Sequence, residues 1–149
     1  MTDAFIGLGT NLGDRAANIA RAKEFLRGAG LEIVKESPID ETDPVDYLDQ
    51  PSFFNQIVIV RTGLGAHDLL KTLLSIETRM GRVRTVDKGP RVIDLDILLF
   101  GNEIIDTPEL VVPHYAIRSR EFILRHLVAL DPELRDPRDG MRYADLLPQ

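Results

Sequence analysis

The 149-residue sequence contains no cysteine, which excludes disulfides, thiolate nucleophiles and cysteine-ligated zinc. It also lacks any long hydrophobic run. The longest clean ones are Ile57-Val58-Ile59-Val60 and Ile97-Leu98-Leu99-Phe100, far short of the roughly 18 residues a membrane helix needs. The opening Met1-Thr2-Asp3-Ala4-Phe5 has neither the basic start nor the apolar stretch of a signal peptide. A cytoplasmic protein without membrane contact is expected. Positive charge is scarce too: 18 basic residues against 24 acidic ones leave a net charge of −6. A general nucleic-acid binder is basic, so nucleic acid is not expected as a partner. No G-x-x-x-x-G-K-[ST], H-E-x-x-H or G-x-S-x-G occurs, and the Gly7, Gly9, Gly13 spacing is one residue too long for G-x-G-x-x-G.

What is present is the balance of a globular protein, 44% hydrophobic and 28% charged, at a length that suits one domain over residues 1–149. A strand is predicted over Ala4 to Leu8, followed by a glycine-rich turn from Gly7 to Gly13. A helix from about Asp14 to Ala29 follows, with an Ile19, Ala22, Leu26 stripe and Gly30 placed to end it. Leu31 to Ser37 and Phe53 to Thr62 read as strands. A second helix, Ala66 to Met80, stops at Gly81; Val92 to Phe100 is the most hydrophobic strand; a third helix spans Ser119 to Leu130. The tail from Glu133 is mixed. The order β-α-β-β-α-β-α is that of a ferredoxin-like α/β sandwich (an α+β arrangement), with helices packed on a mainly antiparallel sheet. His67 and His126 read as helix-surface residues.

The residues most in need of explanation are Asp94 and Asp96. Strand alternation points both one way, while Ile93, Leu95 and Ile97 point the other. Two neighbouring carboxylates repel unless water or a cation compensates. The alternatives are a wet strand end or a divalent ion, and all-oxygen ligands favour Mg²⁺ or Mn²⁺. Just upstream, residues 79–91 carry five cations and one acid. Such a segment leading into a carboxylate pair suits a polyphosphate with its metals, although a solvated loop pairing with its own acids has the same composition. Glu77 falls on the apolar stripe of its helix, either reaching water at the edge or facing the site as an acceptor for ribose hydroxyls or an arginine. Phe53 and Asn55 share one strand face, which suits either core packing or a planar heterocycle.

The run Asp87-Lys88-Gly89-Pro90-Arg91-Val92-Ile93-Asp94-Leu95-Asp96-Ile97-Leu98 resembles the signature of the 6-hydroxymethyl-7,8-dihydropterin pyrophosphokinases. The resemblance extends through Gly9-Thr10-Asn11-Leu12-Gly13, Gln50-Pro51, Phe53-Phe54-Asn55, Gly81-Arg82-Val83-Arg84, Val112-Pro113-His114-Tyr115 and Arg120-Glu121-Phe122. It implies transfer of pyrophosphate from ATP to the pterin hydroxymethyl group with release of AMP, ATP being the co-substrate. It further implies two Mg²⁺ ions on Asp94 and Asp96. Phe53 and Phe122 would stack the pterin, Asn55 would read its edge, and backbone groups around Thr42 and Val45 would help. Glu77, Arg82, Arg84, Arg91, His114, Tyr115 and Arg120 match positions that contact ATP.

On that basis Arg82 is expected to reach the phosphates only on loop closure, with Arg91 as a fixed clamp. Asp96 is a candidate to relay the hydroxyl proton. Thr85, Glu109 and Leu74 depart from residues that some family members carry near the nucleotide. A monomer is expected. Two other classes remain open, a non-catalytic pterin or nucleotide sensor and a nucleotidyltransferase using the Asp pair.

Overall fold

A computed structural model of the chain describes residues 1–44, 49–82 and 90–148. In chain order the elements are β1 (Thr2–Thr10), α1 (Arg15–Gly28), β2 (Glu32–Glu36), β3 (Asp40–Thr42) and β4 (Phe53–Thr62). They continue with α2 (Ala66–Arg79), β5 (Asp94–Phe100), β6 (Ile105–Asp106), β7 (Val111–Val112), α3 (Glu121–Leu130) and a 3₁₀ turn at Tyr143–Leu146. The main sheet runs β2-β4-β1-β5, every pairing antiparallel, with β3 beside the start of β4. Strands β1 and β2, joined by α1, thus flank an antiparallel β4, which is the split βαβ of a ferredoxin-like sandwich. Strand β3 and the β6–β7 ribbon are additions to the expected order. None of the described helices is long and apolar enough to cross a membrane.

Local chemistry explains the helix limits. The Asp14 side chain accepts from the Ala17 N–H at 3.0 Å and so caps α1. Gly30 at φ 85° and Gly81 at φ 90° turn the chain out of α1 and α2, a conformation that costs glycine least.

Two cores lie on opposite faces of the sheet. On one, Ile19, Ala22 and Leu26 of α1 and Leu69, Leu73 and Ile76 of α2 pack against Ala4, Ile6, Val58, Val60, Leu95 and Ile97. On the other, α3 and Tyr143 cover Phe5, Ile57, Ile59, Leu98 and Leu99. Truncating a fully buried leucine such as Leu26 or Leu73 to alanine costs about 2–5 kcal/mol in such cores.

The register decides where function can sit. Opposite residues of antiparallel strands share a face. Gly9 faces Asn55 on one side and Asp94 on the other; Gly7 faces Ile57 and Asp96. A bulge follows, Phe5 pairing with Leu99 and Ile6 with Ile97. Leu98 is therefore the extra residue, and both Leu98 and Leu99 turn toward α3.

Candidate functional site

The two rows Asn55–Gly9–Asp94 and Ile57–Gly7–Asp96 floor a cleft of about 190 Å³ on the α3 face of the sheet. Its walls come from Thr42 and Asp43, from Gln50 and Phe53, from Arg91, from His114 and Tyr115, and from Arg120, Phe122 and Ile123 at the start of α3. The glycines make the space. A Cβ on Gly9 would lie 3.4 Å from Asn55 Oδ1 and 4.0 Å from the Asp94 Cβ, and one on Gly7 would lie 3.5 Å from Leu98. The residue pattern alone ends the strand at Leu8 and puts Gly7 to Gly13 in a turn. Gly7 and Gly9 are strand residues whose missing side chains open the cleft.

At one end of the cleft the chemistry is ionic. Asp94 is held from both sides: Arg82 Nη1 donates to Oδ1 at 2.9 Å and Arg91 Nη1 to Oδ2 at 3.1 Å. Asp96 lies one row deeper, with no hydrogen bond to its carboxylate among the described residues, and His114 Nε2 is 3.9 Å from Oδ1. Burial first, then the charges of Asp94 and Glu77, push its carboxyl up to about 7.

His114 Nδ1 accepts from the Ala116 N–H at 3.1 Å, which leaves the ring proton on Nε2, facing Asp96. Burial and the charge of Arg120 keep this imidazole below its ordinary pKa and hence neutral. The two carboxylates offer hard oxygen donors of the kind Mg²⁺ takes. No group of three or more metal-binding side chains is gathered among the described residues. An ion held by Asp94 and Asp96 would take its remaining oxygens from water or a ligand.

At the other end the walls are aromatic. Phe53 and Phe122 both line the cleft. Asn55 Nδ2 donates to Thr42 Oγ1 at 2.6 Å, and its Oδ1 lies toward the space above Gly9. The Arg91 guanidinium lies 5.2 Å from the centre of the Phe53 ring and so joins the aromatic end to the ionic one.

Several expectations need correction or qualification. Arg82 is not a solvated loop arginine awaiting an anion; its side chain is 11% exposed and pairs with Glu77 Oε2 at 2.7 Å as well as with Asp94. Glu77, 4% exposed, does not reach water and does not line the cleft, but it is an acceptor for an arginine, Arg82, one of its expected roles. Its Oε2 also accepts from the Leu95 N–H at 2.8 Å, so it ties α2 to β5 and holds Arg82. His126 is not on the surface: it is buried on α3, with Nδ1 3.3 Å from Ser37 Oγ and its ring edge-on to Phe122. Val45 and Arg84, as well as Thr85, lie outside the described residues. Leu74 and Glu109 are exposed and away from the cleft walls. His67 is exposed on α2, as read.

A family model described as 7,8-dihydro-6-hydroxymethylpterin-pyrophosphokinase matches residues 5–132. The chain belongs to this family. Among curated relatives, it is 42% identical over 144 residues to the 2-amino-4-hydroxy-6-hydroxymethyldihydropteridine pyrophosphokinase of Pseudomonas aeruginosa, covering 96% of this chain and 88% of that protein. With the Bacillus subtilis protein of the same name it shares 44% over 128 residues, covering 85% and 77%. It is also 41% identical over 135 residues to the folic acid synthesis protein fol1 of Schizosaccharomyces pombe. It spans only 18% of that protein's length, and 19% of its counterpart from Pneumocystis carinii.

Solved structures share the fold. The wild-type HPPK-DHPS of Plasmodium falciparum with pteroate superposes with a TM-score of 0.77 at 18% identity, over 97% of this chain and 41% of that one. An HPPK-DHPS in complex with substrates gives 0.76 at 17%, over 98% and 44%. The family's members thus occur both near this length and within far longer proteins.

Proposed function

We propose that this chain transfers the terminal pyrophosphate of ATP to the hydroxymethyl group of 6-hydroxymethyl-7,8-dihydropterin and releases AMP. The observation that carries this reading is the shared floor. Asn55 and Asp94 stand on either side of Gly9 in one row of the sheet, so a ring held at the aromatic end has its substituent at the ionic end. Phe53 and Phe122 stack the pterin. Asn55, with its amide set by Thr42, reads the heterocycle edge, and the backbone near Thr42 and Val45 completes that edge.

Asp94 and Asp96 hold two Mg²⁺ ions in this proposal. Such ions lower the cost of bringing an oxygen nucleophile to an anionic phosphate. The chain's own side chains do the rest. Arg91, already fixed to Asp94, clamps phosphate oxygens bidentately, and Arg120 adds positive charge across the cleft. His114 donates its Nε2 proton to a phosphate oxygen, while Tyr115 and Arg84 contact the nucleotide. Glu77 acts at one remove, by holding Arg82. Phosphoryl transfer needs mainly position and charge stabilisation, and these groups supply both. We take residues 1–149 as one domain working as a cytoplasmic monomer.

The test is direct. Protein, Mg²⁺, ATP and the hydroxymethyl pterin are mixed and AMP is measured. A pterin or nucleotide sensor would form none, and a nucleotidyltransferase would release pyrophosphate instead. Asp96→Ala is expected to abolish both turnover and Mg²⁺-dependent ATP binding; normal turnover in that variant refutes the metal assignment.

A further inference from the structure

Four of the five buried residues of α3 are apolar, Ile123, Leu124, Leu127 and Leu130; the fifth is His126, with 6% of its surface exposed. A buried imidazole costs stability unless its nitrogens find partners, and both of these face oxygen on other elements. Nδ1 lies 3.3 Å from Ser37 Oγ, and Nε2 lies 3.6 Å from Asp40 Oδ2.

Ser37 is a firm post. Its N–H donates to the Ile57 carbonyl at 2.8 Å, its Oγ accepts from the Ile57 N–H at 2.9 Å, and its carbonyl accepts from Gln56 Nε2 at 2.7 Å. It is thereby bound to β4, the strand that carries Phe53 and Asn55. Asp40 opens β3, where it faces Asn55, as Thr42 faces Phe53 two residues on.

The ring has a further neighbour. Phe122 precedes His126 by four residues, so the two share one face of α3. Their ring centres are 6.4 Å apart and their planes meet at 80°, the edge-to-face arrangement that aromatic pairs favour. Phe122 is half-buried and lines the cleft, whereas His126 stands outside the cleft walls. One side chain anchored at β4 and beside β3 thus braces an aromatic wall of the cleft without touching its contents.

We infer that His126 is a positioning residue for the heterocycle, holding the Phe122 ring in place for stacking before the substrate arrives. This rests on the pterin assignment above. A braced ring needs little further ordering when the ligand stacks on it, whereas a freed one must be immobilised at that moment.

Two variants separate the ring from its nitrogens. His126→Gln keeps polar reach toward Ser37 and Asp40 but has no ring; His126→Phe keeps a ring beside Phe122 but no polar atom. Pterin affinity, titrated with a non-hydrolysable ATP analogue and Mg²⁺ present, should fall about three- to tenfold in His126→Gln. KM for the pterin should rise to match, while kcat at saturating pterin and affinity for the analogue alone stay within about twofold of wild type. His126→Phe should recover most of the lost pterin affinity. If either variant fails to fold, His126→Met and His126→Tyr make the same comparison, without and with a ring.

Unchanged pterin affinity in the ringless variant overturns the inference, as does an equal loss for pterin and nucleotide analogue, which marks a purely structural residue. So does a folded ring-bearing variant that binds pterin no better than the ringless one. A wild-type protein that neither binds the pterin nor forms AMP overturns the functional assignment, and this inference with it.

Discussion

Asp96 is the residue at which folding and the proposed function conflict most directly, and the conflict is measurable. Moving its carboxyl from 3.8 to about 7 would correspond to about 4 kcal/mol in a dry site. The side chain is 45% exposed to cleft water, and screening reduces that to about 1–2 kcal/mol. Asn is isosteric and uncharged, so Asp96→Asn should stabilise the metal-free protein by this amount. At this chain length the gain is a rise of about 3–6 °C in Tm.

The pH dependence identifies the cause. Below the ordinary carboxylate pKa both folded and unfolded chains carry the proton, and the variant gains nothing. As the pH rises from about 4 the unfolded chain loses its proton before the folded one does, because the folded carboxyl is held up. The destabilisation by Asp96 grows through that rise and levels off once both states are ionised, at or below about pH 7. Thermal and urea melts with chelator present, from pH 4 to 8, should show the two proteins alike at the acid end and separated at the alkaline end. A variant less stable than wild type at pH 8, or a gain independent of pH, would refute the reasoning. The same variant should lose pyrophosphoryl transfer.

Three further outcomes are expected. Gly9→Val should fill the floor of the cleft beside Asn55; overpacking of about 1–3 kcal/mol predicts a loss of pterin affinity of about fivefold or more in equilibrium titration, with the fold kept by circular dichroism. Arg82→Ala should lower stability by about 2–4 kcal/mol in urea unfolding, because it removes the buried guanidinium that Glu77 and Asp94 share; an unchanged midpoint would contradict the pairing. His126, held below its ordinary pKa by burial against the opposing charge of Asp40, should make the protein less stable as pH falls below about 6.5, since the unfolded chain then takes up a proton. His126→Gln should flatten that part of the profile, and a curve with the same slope would exclude His126 as its source.

Much of this was legible in the residues themselves. The stripe Ile19, Ala22, Leu26, the stop at Gly81 and the same-side placement of Asp94 and Asp96 are consequences of periods that repeat within one element. A short segment contains all that they need. The family signature around Arg91 to Leu98 is likewise contiguous. The tertiary structure decided what depends on partners distant in the chain. Whether Gly7 and Gly9 bend a turn or floor a cleft depends on strand register with β4 and β5, which follows from the packing of two whole cores.

Glu77 shows the same division. Its place on an apolar stripe was an anomaly in sequence, and only the arrival of Arg82 and the Leu95 amide explains it. His126 sits beneath Ser37 because α3 crosses the sheet at that point, a placement that no period of its own helix specifies. Asn11 meets Gln50 and Arg91 across separations of 39 and 80 residues. Backbone geometry imposes local patterns directly, whereas contacts of that range exist only once the whole chain has settled which faces are buried.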